Sequence, residues 1–291
     1  MSTGNLNYQF ARLNTAEKLI VINVAVYIIH ALVVYLFALN GNAIVRWFEL
    51  PADFFDMLSQ PWSLVTYSFF HGGLLHLFFN MLVLYYVGRI FLNLFGNRTF
   101  TNVYFLGVIL GGLLFLLSYN VFPAFMGGRT SLIGASAGVT AVLIFVCAYM
   151  PNQEVRLLFF NVKLWHIGAF IVLMDLVMIT ADQNPGGRIA HLGGAVLGYY
   201  YARRLLNGQD IGKGFSALLD SLASLFKKQE KKAPMKTVYR KNGKTGKKSP
   251  DYQKESRQRK IDAILDKISK SGYESLSKEE KDFLFKAGKE D

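Results

Sequence analysis

Six apolar stretches mark the chain before its polar tail: approximately Leu19 to Leu39, Leu74 to Leu92, Val103 to Tyr119, Ile133 to Met150, Leu164 to Thr180, and Ile189 to Leu206. A helix that crosses the hydrocarbon core needs about 20 mostly apolar residues. The pattern therefore predicts an all-α membrane protein with six transmembrane helices. The fourth and sixth stretches are short or rich in glycine and alanine, as expected of helices surrounded by protein rather than lipid. Between the first two spans, the loop Asn40 to Gly73 carries Trp47, Phe48, Phe54, Phe55, Met57 and Trp62 among its polar residues. Aromatic side chains favour the membrane interface, so this first loop is expected to lie partly in the outer leaflet.

The pattern changes after Arg204. Phe215, Leu218, Leu219, Leu222, Leu225 and Phe226 recur at helical spacing ahead of Lys227, Lys228, Lys231 and Lys232. Two placements suit such a helix: on the anionic inner leaflet, or packed on the cytoplasmic ends of the spans. From Ala233 the chain has little apolar content and is expected to be a flexible linker. Ile261, Ile264, Leu265 and Ile268 then form a helical stripe, Ser271-Gly272 a stop, and Ser277 to Glu280 a capping box. Two short amphipathic helices bury little surface alone, so they are expected to pair with each other, with a second copy or with a cytoplasmic partner. The expected organisation is 1–18 cytoplasmic, 19–206 membrane domain, 207–232 basic juxtamembrane helix, 233–260 linker, and 261–291 helical hairpin.

Composition and charge refine this picture. The 291 residues are 52% hydrophobic and 18% charged, with a net charge of +12 concentrated beyond Tyr201. Arg89 and Arg98 lie at or just past the end of the second span, Arg156 and Lys163 follow the fourth, and Arg203 and Arg204 close the sixth. By the positive-inside rule these ends face the cytoplasm, and an even span count places both termini there. The opposite loops are less uniform, with Arg46, Arg129 and Arg188 beside Glu49, Asp53 and Asp56. Attraction to the inner leaflet accounts for the basic tail without invoking nucleic acid. Cys147 is the single cysteine, so no intramolecular disulfide forms, and no ligand cluster has metal-site spacing. Neither metal nor organic cofactor is implied.

Polar groups are expensive inside hydrocarbon, so His76, Asn80, Ser136, Asp175 and His191 each require a reason. His76 and Asn80 share one face of the second span, where interhelical hydrogen bonding would suffice. Ser136 lies between Gly134 and Gly138, and His191 precedes Gly194 and Gly198. Each set makes a small-residue ridge suited to close helix packing. Packing the ridges together would bring the serine and histidine side chains within reach, and histidine is the usual base for a serine nucleophile. His76, Asn80 and the backbone N–H of Ser136 would supply oxyanion donors. With Asp182 in a loop and Asp175 on the fifth span, no acidic group is expected beside His191, which makes a dyad the simpler arrangement. Gly134-x-Ser136-x-Gly138 also matches the α/β-hydrolase elbow, but its flanks lack the strand–turn–helix context.

At this point the chain resembles the rhomboid family of intramembrane serine proteases, over about Trp62 to Tyr201. The resemblance rests on His71-Gly-Gly-Leu-Leu-His76-Leu-Phe-Phe-Asn80, Gly134-Ala-Ser136 and Ala190-His191-Leu-Gly-Gly194-x-x-x-Gly198, in that order on the second, fourth and sixth spans. It implies a six-helix rhomboid-like bundle with a membrane-embedded first loop and Trp62 in a lateral hairpin. It further implies Ser136 as nucleophile, His191 as general base, and His76 with Asn80 as oxyanion stabilisers. His71, Gly134, Gly138, Gly194 and Gly198 would serve structure near the site. The chain departs from the family pattern at Ala137, where glycine is common, and at Thr140, where an aromatic residue is common.

The implied activity is endoproteolysis in or near the transmembrane segments of membrane-protein substrates, in the cytoplasmic membrane of a bacterium. An idle relative that binds transmembrane clients would keep the fold without the chemistry. A small transporter would route ions past Asp175 and His166, but the chain lacks the inverted repeat that would support it.

Overall fold

A computed structural model describes residues 6–128, 130–157, 159–181, 184–226 and 250–288. Arg129, Asp182, Lys227, Lys228, Lys231, Lys232 and the linker up to residue 249 lie outside the described residues. The chain divides into two compact units, Met1–Lys228 and Gln229–Asp291.

In the first unit, a short helix α1 (Leu6–Arg12) precedes α2 (Thr15–Leu36). A capping box starts α2: the Asn14 side chain accepts from the Glu17 N–H at 2.9 Å, and Glu17 accepts from the Asn14 N–H at 2.9 Å. The first loop folds into α3 (Asn42–Val45), β1 (Leu50–Pro51), α4 (Phe54–Ser59) and α5 (Ser63–Thr66). Asp53 caps α4, accepting from the N–H groups of Phe55 and Asp56. Trp47, Phe55 and Trp62 remain exposed on this loop, and the Trp62 indole donates to the Trp47 carbonyl at 2.7 Å.

Four long helices follow the loop or frame its continuation: α6 (Leu74–Leu94), α7 (Asn97–Val121), α9 (Leu164–Ala181) and α10 (Pro185–Leu206). Between α7 and α9 lie β2 (Ser131–Leu132), α8 (Ser136–Tyr149) and a hairpin of β3 (Glu154–Leu157) with β4 (Phe160–Lys163). The apolar pattern does not predict that hairpin. Helices α2, α6, α7 and α9 are each long and apolar enough to cross a membrane. Helix α8 is apolar but shorter, and α10 carries Gly186, Gly187, Gly193, Gly194 and Gly198 together with three arginines.

Helix α8 is the axis of the bundle. Every residue from Ala137 to Cys147 is buried, because α6, α7, α9 and α10 all pack around it. Glycine makes the closest approaches possible: a Cβ on Gly198 would lie 2.2 Å from the Ala141 carbonyl oxygen, and one on Gly107 would lie 2.3 Å from the Ala141 Cβ. The core continues through Phe91, Phe100, Tyr104, Phe145 and Tyr201, all fully buried.

Helix α11 (Lys213–Phe226) packs by one face against α7. Buried Ser216 exchanges hydrogen bonds with Asn102 of α7, the amide donating at 2.8 Å and the hydroxyl returning one at 3.0 Å. Asp220 pairs with Arg98. Leu218, Leu222 and Leu225 stay exposed on the other face.

The second unit contains α12 (Pro250–Ser271) and α13 (Lys278–Ala287). Residues 250–260, assigned to the linker by their polarity, are helical instead. Pro250 occupies the first helical position, where it costs no hydrogen bond, and the glutamine, lysine, glutamate and arginine residues that follow are strong helix formers. Gly272, at φ +77° and ψ 163°, takes a backbone conformation that favours glycine just after α12. The capping box at Ser277 forms, and Lys267 bonds Glu280 at 2.8 Å across the two helices. Among the described residues, Ile264 and Leu276 are the buried apolar side chains of this small unit.

Candidate active site

Ser136 is the first residue of α8. Its N–H therefore has no partner within the helix, and its side chain stands where the chain turns in from β2. Gly134 makes that turn possible. It holds φ +121°, and a Cβ there would lie 2.8 Å from Cε1 and 2.9 Å from Nε2 of His76. Two hydrogen bonds fix the turn: the Gly134 N–H donates to the Tyr67 carbonyl at 3.0 Å, and the Ala135 N–H donates to His71 Nε2 at 3.5 Å. His71 thus braces the segment that presents Ser136.

His191 reaches the same place from α10. A cavity of about 240 Å³ is lined by His76, Ile133, Ser136, Asn184, Gly187, Arg188 and His191. The structure thus brings three of the four expected chemical residues to one space. Asn80, the fourth, is turned elsewhere: it is buried, and its amide donates to the His76 carbonyl of its own helix at 2.9 Å. Ser136 and His191 share the cavity without a hydrogen bond between them among the described residues. Gly138 and Gly194 act in packing. Added Cβ atoms would lie 2.8 Å from the Tyr104 ring and 2.1 Å from the Ala137 carbonyl oxygen, respectively.

One expectation is corrected. An acidic group does stand beside His191: Asp175 of α9 places Oδ1 3.1 Å from His191 Nδ1 and 3.1 Å from Arg188 Nη1. Its side chain is only 5% exposed. Sixteen residues separate Asp175 from His191, and no spacing rule reveals how two different helices rotate toward each other. The available signal was energetic, since a carboxylate within an apolar span needs a partner. Arg188, expected among the charges of the opposite loops, instead lies within α10, three residues before His191 and on the same face.

A larger open cavity of about 1510 Å³ lies between the first loop and the segment leading to β2, with Glu49, Asp53, Asp56 and His71 among its lining residues. Ile133 borders both cavities. Among the described residues, no group of three or more His, Cys, Asp or Glu side chains is placed to hold a metal ion.

The helices wrapped around α8 define a multi-pass, all-α membrane protein. The Rhomboid domain family model matches residues 58–208, just over half of the chain, and the chain belongs to the rhomboid family. A second family model, a family of unknown function (DUF6576), matches residues 251–287, a segment covering most of α12 and all of α13. Among similar proteins, the mitochondrial RHOMBOID-like protein 12 of Arabidopsis thaliana is 28% identical over 159 residues, covering 50% of this chain and 47% of that protein. The mitochondrial Presenilin-associated rhomboid-like protein of Rattus norvegicus is 29% identical over 164 residues, covering 55% and 41%. Rhomboid-like protease 1 of Toxoplasma gondii is 28% identical over 140 residues, covering 48% and 45%. The match therefore spans less than half the length of each of these relatives.

Proposed function

We propose that the chain is an intramembrane serine endopeptidase that hydrolyses peptide bonds in or near transmembrane segments of membrane proteins, with Ser136 as nucleophile and His191 as base. The observation that carries this reading is the common cavity of Ser136, His191 and His76 at the ends of α8, α10 and α6. In the acylation step, Ser136 Oγ attacks the scissile carbonyl carbon while His191 Nε2 takes the hydroxyl proton. The carbonyl electron pair moves to oxygen, which accepts hydrogen bonds from the Ser136 N–H and His76. Collapse breaks the C–N bond, and His191 returns its proton to the leaving amine. Water, giving a proton to His191, then hydrolyses the acyl-enzyme and frees Ser136.

In this reading the cavity lies below the outer surface among six spans and is reached by water through the open space beside the first loop, whose aromatic residues sit in the outer leaflet. The basic ends of α6, α8 and α10 orient both termini to the cytoplasm, in a bacterial cytoplasmic membrane. A helical peptide bond is shielded by its own turn, so substrates are transmembrane segments that unwind readily. Lipid is the second partner, and a cytoplasmic protein or a second copy would meet α12 and α13.

A proteolytically idle protein that binds transmembrane clients is the second reading, favoured by the missing Ser136–His191 hydrogen bond and by Thr140. One experiment separates the two: purified protein is treated with a fluorophosphonate probe and with a generic transmembrane reporter. Labelling and cleavage by wild type, both lost in Ser136→Ala, are expected. Equal behaviour of wild type and variant overturns the protease reading.

A further inference from the structure

The geometry points to Asp175 as the positioning residue for His191, fixing its proton on Nδ1 and leaving Nε2 free to take the proton of Ser136, with Arg188 anchoring the carboxylate. The inference rests on the protease reading above. Asp175 sits within the apolar helix α9, 3% exposed as a residue, where an unpaired carboxylate would be strongly unfavourable. Two groups of α10 meet it, Arg188 Nη1 and His191 Nδ1, both 3.1 Å from the same Oδ1.

The consequence follows from donor chemistry. An ionised carboxylate only accepts hydrogen bonds, and a neutral imidazole carries one N–H. With Oδ1 against Nδ1, the proton belongs on Nδ1, and Nε2 presents its lone pair. Arg188 remains a cation and occupies the same oxygen, which restrains the carboxylate. His191 is the more accessible partner, its side chain 23% exposed against 5% for Asp175. The carboxylate thus holds the ring from within the protein while the ring itself borders the cavity. A purely structural clamp between Asp175 and Arg188 would serve helix packing equally well, but it would leave the tautomer of His191 unconstrained.

The tautomer is therefore the measurement. The full chain in detergent micelles is labelled with ¹⁵N-histidine, and the His191 signals are assigned by their loss in His191→Asn. Two-bond ¹H–¹⁵N spectra should show neutral His191 protonated on Nδ1 in wild type, and a shift toward the Nε2-protonated form in Asp175→Asn. In parallel, Asp175→Asn should lower kcat for a transmembrane reporter on the order of 10²- to 10⁴-fold, as expected when a base is held in the wrong tautomer, with KM changed by less than about threefold. An Nε2-protonated His191 in wild type overturns the inference, as does wild-type kcat in a folded Asp175→Asn. If that variant does not fold, the wild-type spectrum decides alone. Failure of the protease reading is a separate result: wild type does not cleave, or Ser136→Ala cleaves equally well, whichever tautomer the spectrum shows.

Discussion

Gly194 approaches the Ala137 carbonyl so closely that a Cβ on it would lie 2.1 Å from that oxygen. Backbone thus meets backbone one residue after the candidate nucleophile. Gly194→Ala must push α10 away from α8, and overpacking of this kind costs about 1–3 kcal/mol or more. A lower thermal midpoint together with loss of reporter cleavage is expected. An unchanged midpoint would show that the two helices yield without cost.

His76 and Asn80 should separate in their effects. His76 borders the cavity with Ser136, whereas the Asn80 amide bonds its own helix. Loss of one oxyanion donor costs roughly 10²- to 10³-fold in kcat, and His76→Ala should fall in that range. Asn80→Ala should lose less than about tenfold, the effect of a residue outside the hydrogen-bonding set. Steady-state kinetics on one reporter would compare them, and equal losses would place Asn80 at the oxyanion.

The Asn102–Ser216 pair should govern how firmly α11 is held. Both residues are buried, 1% and 5% exposed, and Asn102 also donates to the Gly212 carbonyl at 3.2 Å. Ser216→Ala leaves the buried amide short of a partner, at a cost of about 1–3 kcal/mol. Faster hydrogen exchange across α11, with α7 little changed, is the expected signature. Uniform exchange rates in wild type and variant would show the pair to be dispensable.

Glu280 should titrate below the ordinary glutamate range. Its hydrogen bonds from Lys267 favour the ionised form, and the Ser277 N–H adds to them. Because the folded-state pKa is lowered, the contribution of this pair is present above the usual glutamate range and is lost as pH falls through the lowered value. Carboxyl ¹³C titration of the full chain should find Glu280 among the most acidic glutamates. Lys267→Ala should return it toward the rest.

Much of the architecture is legible in the sequence because burial in a membrane imposes a simple code. Each apolar stretch became a helix, and Gly194 and Gly198 of the sixth pack tightly on the fourth, against the Ala137 and Ala141 carbonyls, whereas Gly138 of the fourth faces Tyr104 and Val108 of α7 instead. Ser136 and His191 were identifiable because polar side chains flanked by glycine stand out in apolar surroundings. Asp175 stood out as a carboxylate within an apolar span, yet its partner did not. That contact depends on how α9 and α10 are rotated about their axes, and the individual helical patterns carry no such information. The β3–β4 hairpin and the start of α12 were missed on different grounds. Four-residue strands leave too few positions to establish a period, and a highly charged helix resembles a linker in composition although its residues favour the helix.

The length of α8 has one more consequence. Its 14 residues rise about 21 Å, whereas the hydrocarbon core measures about 30 Å. The helix therefore works as a depth gauge. If its C-terminal end is level with one face of the hydrocarbon core, Ser136 is suspended about 9 Å below the opposite boundary. Only the irregular chain through β2 and Gly134 spans the remainder. Adding a helical turn within α8, after Ser136, would lift the hydroxyl by about 5.4 Å, out of register with His191. Under the proposed protease reading, the short helix α8 thus sets the depth at which a substrate would meet the serine.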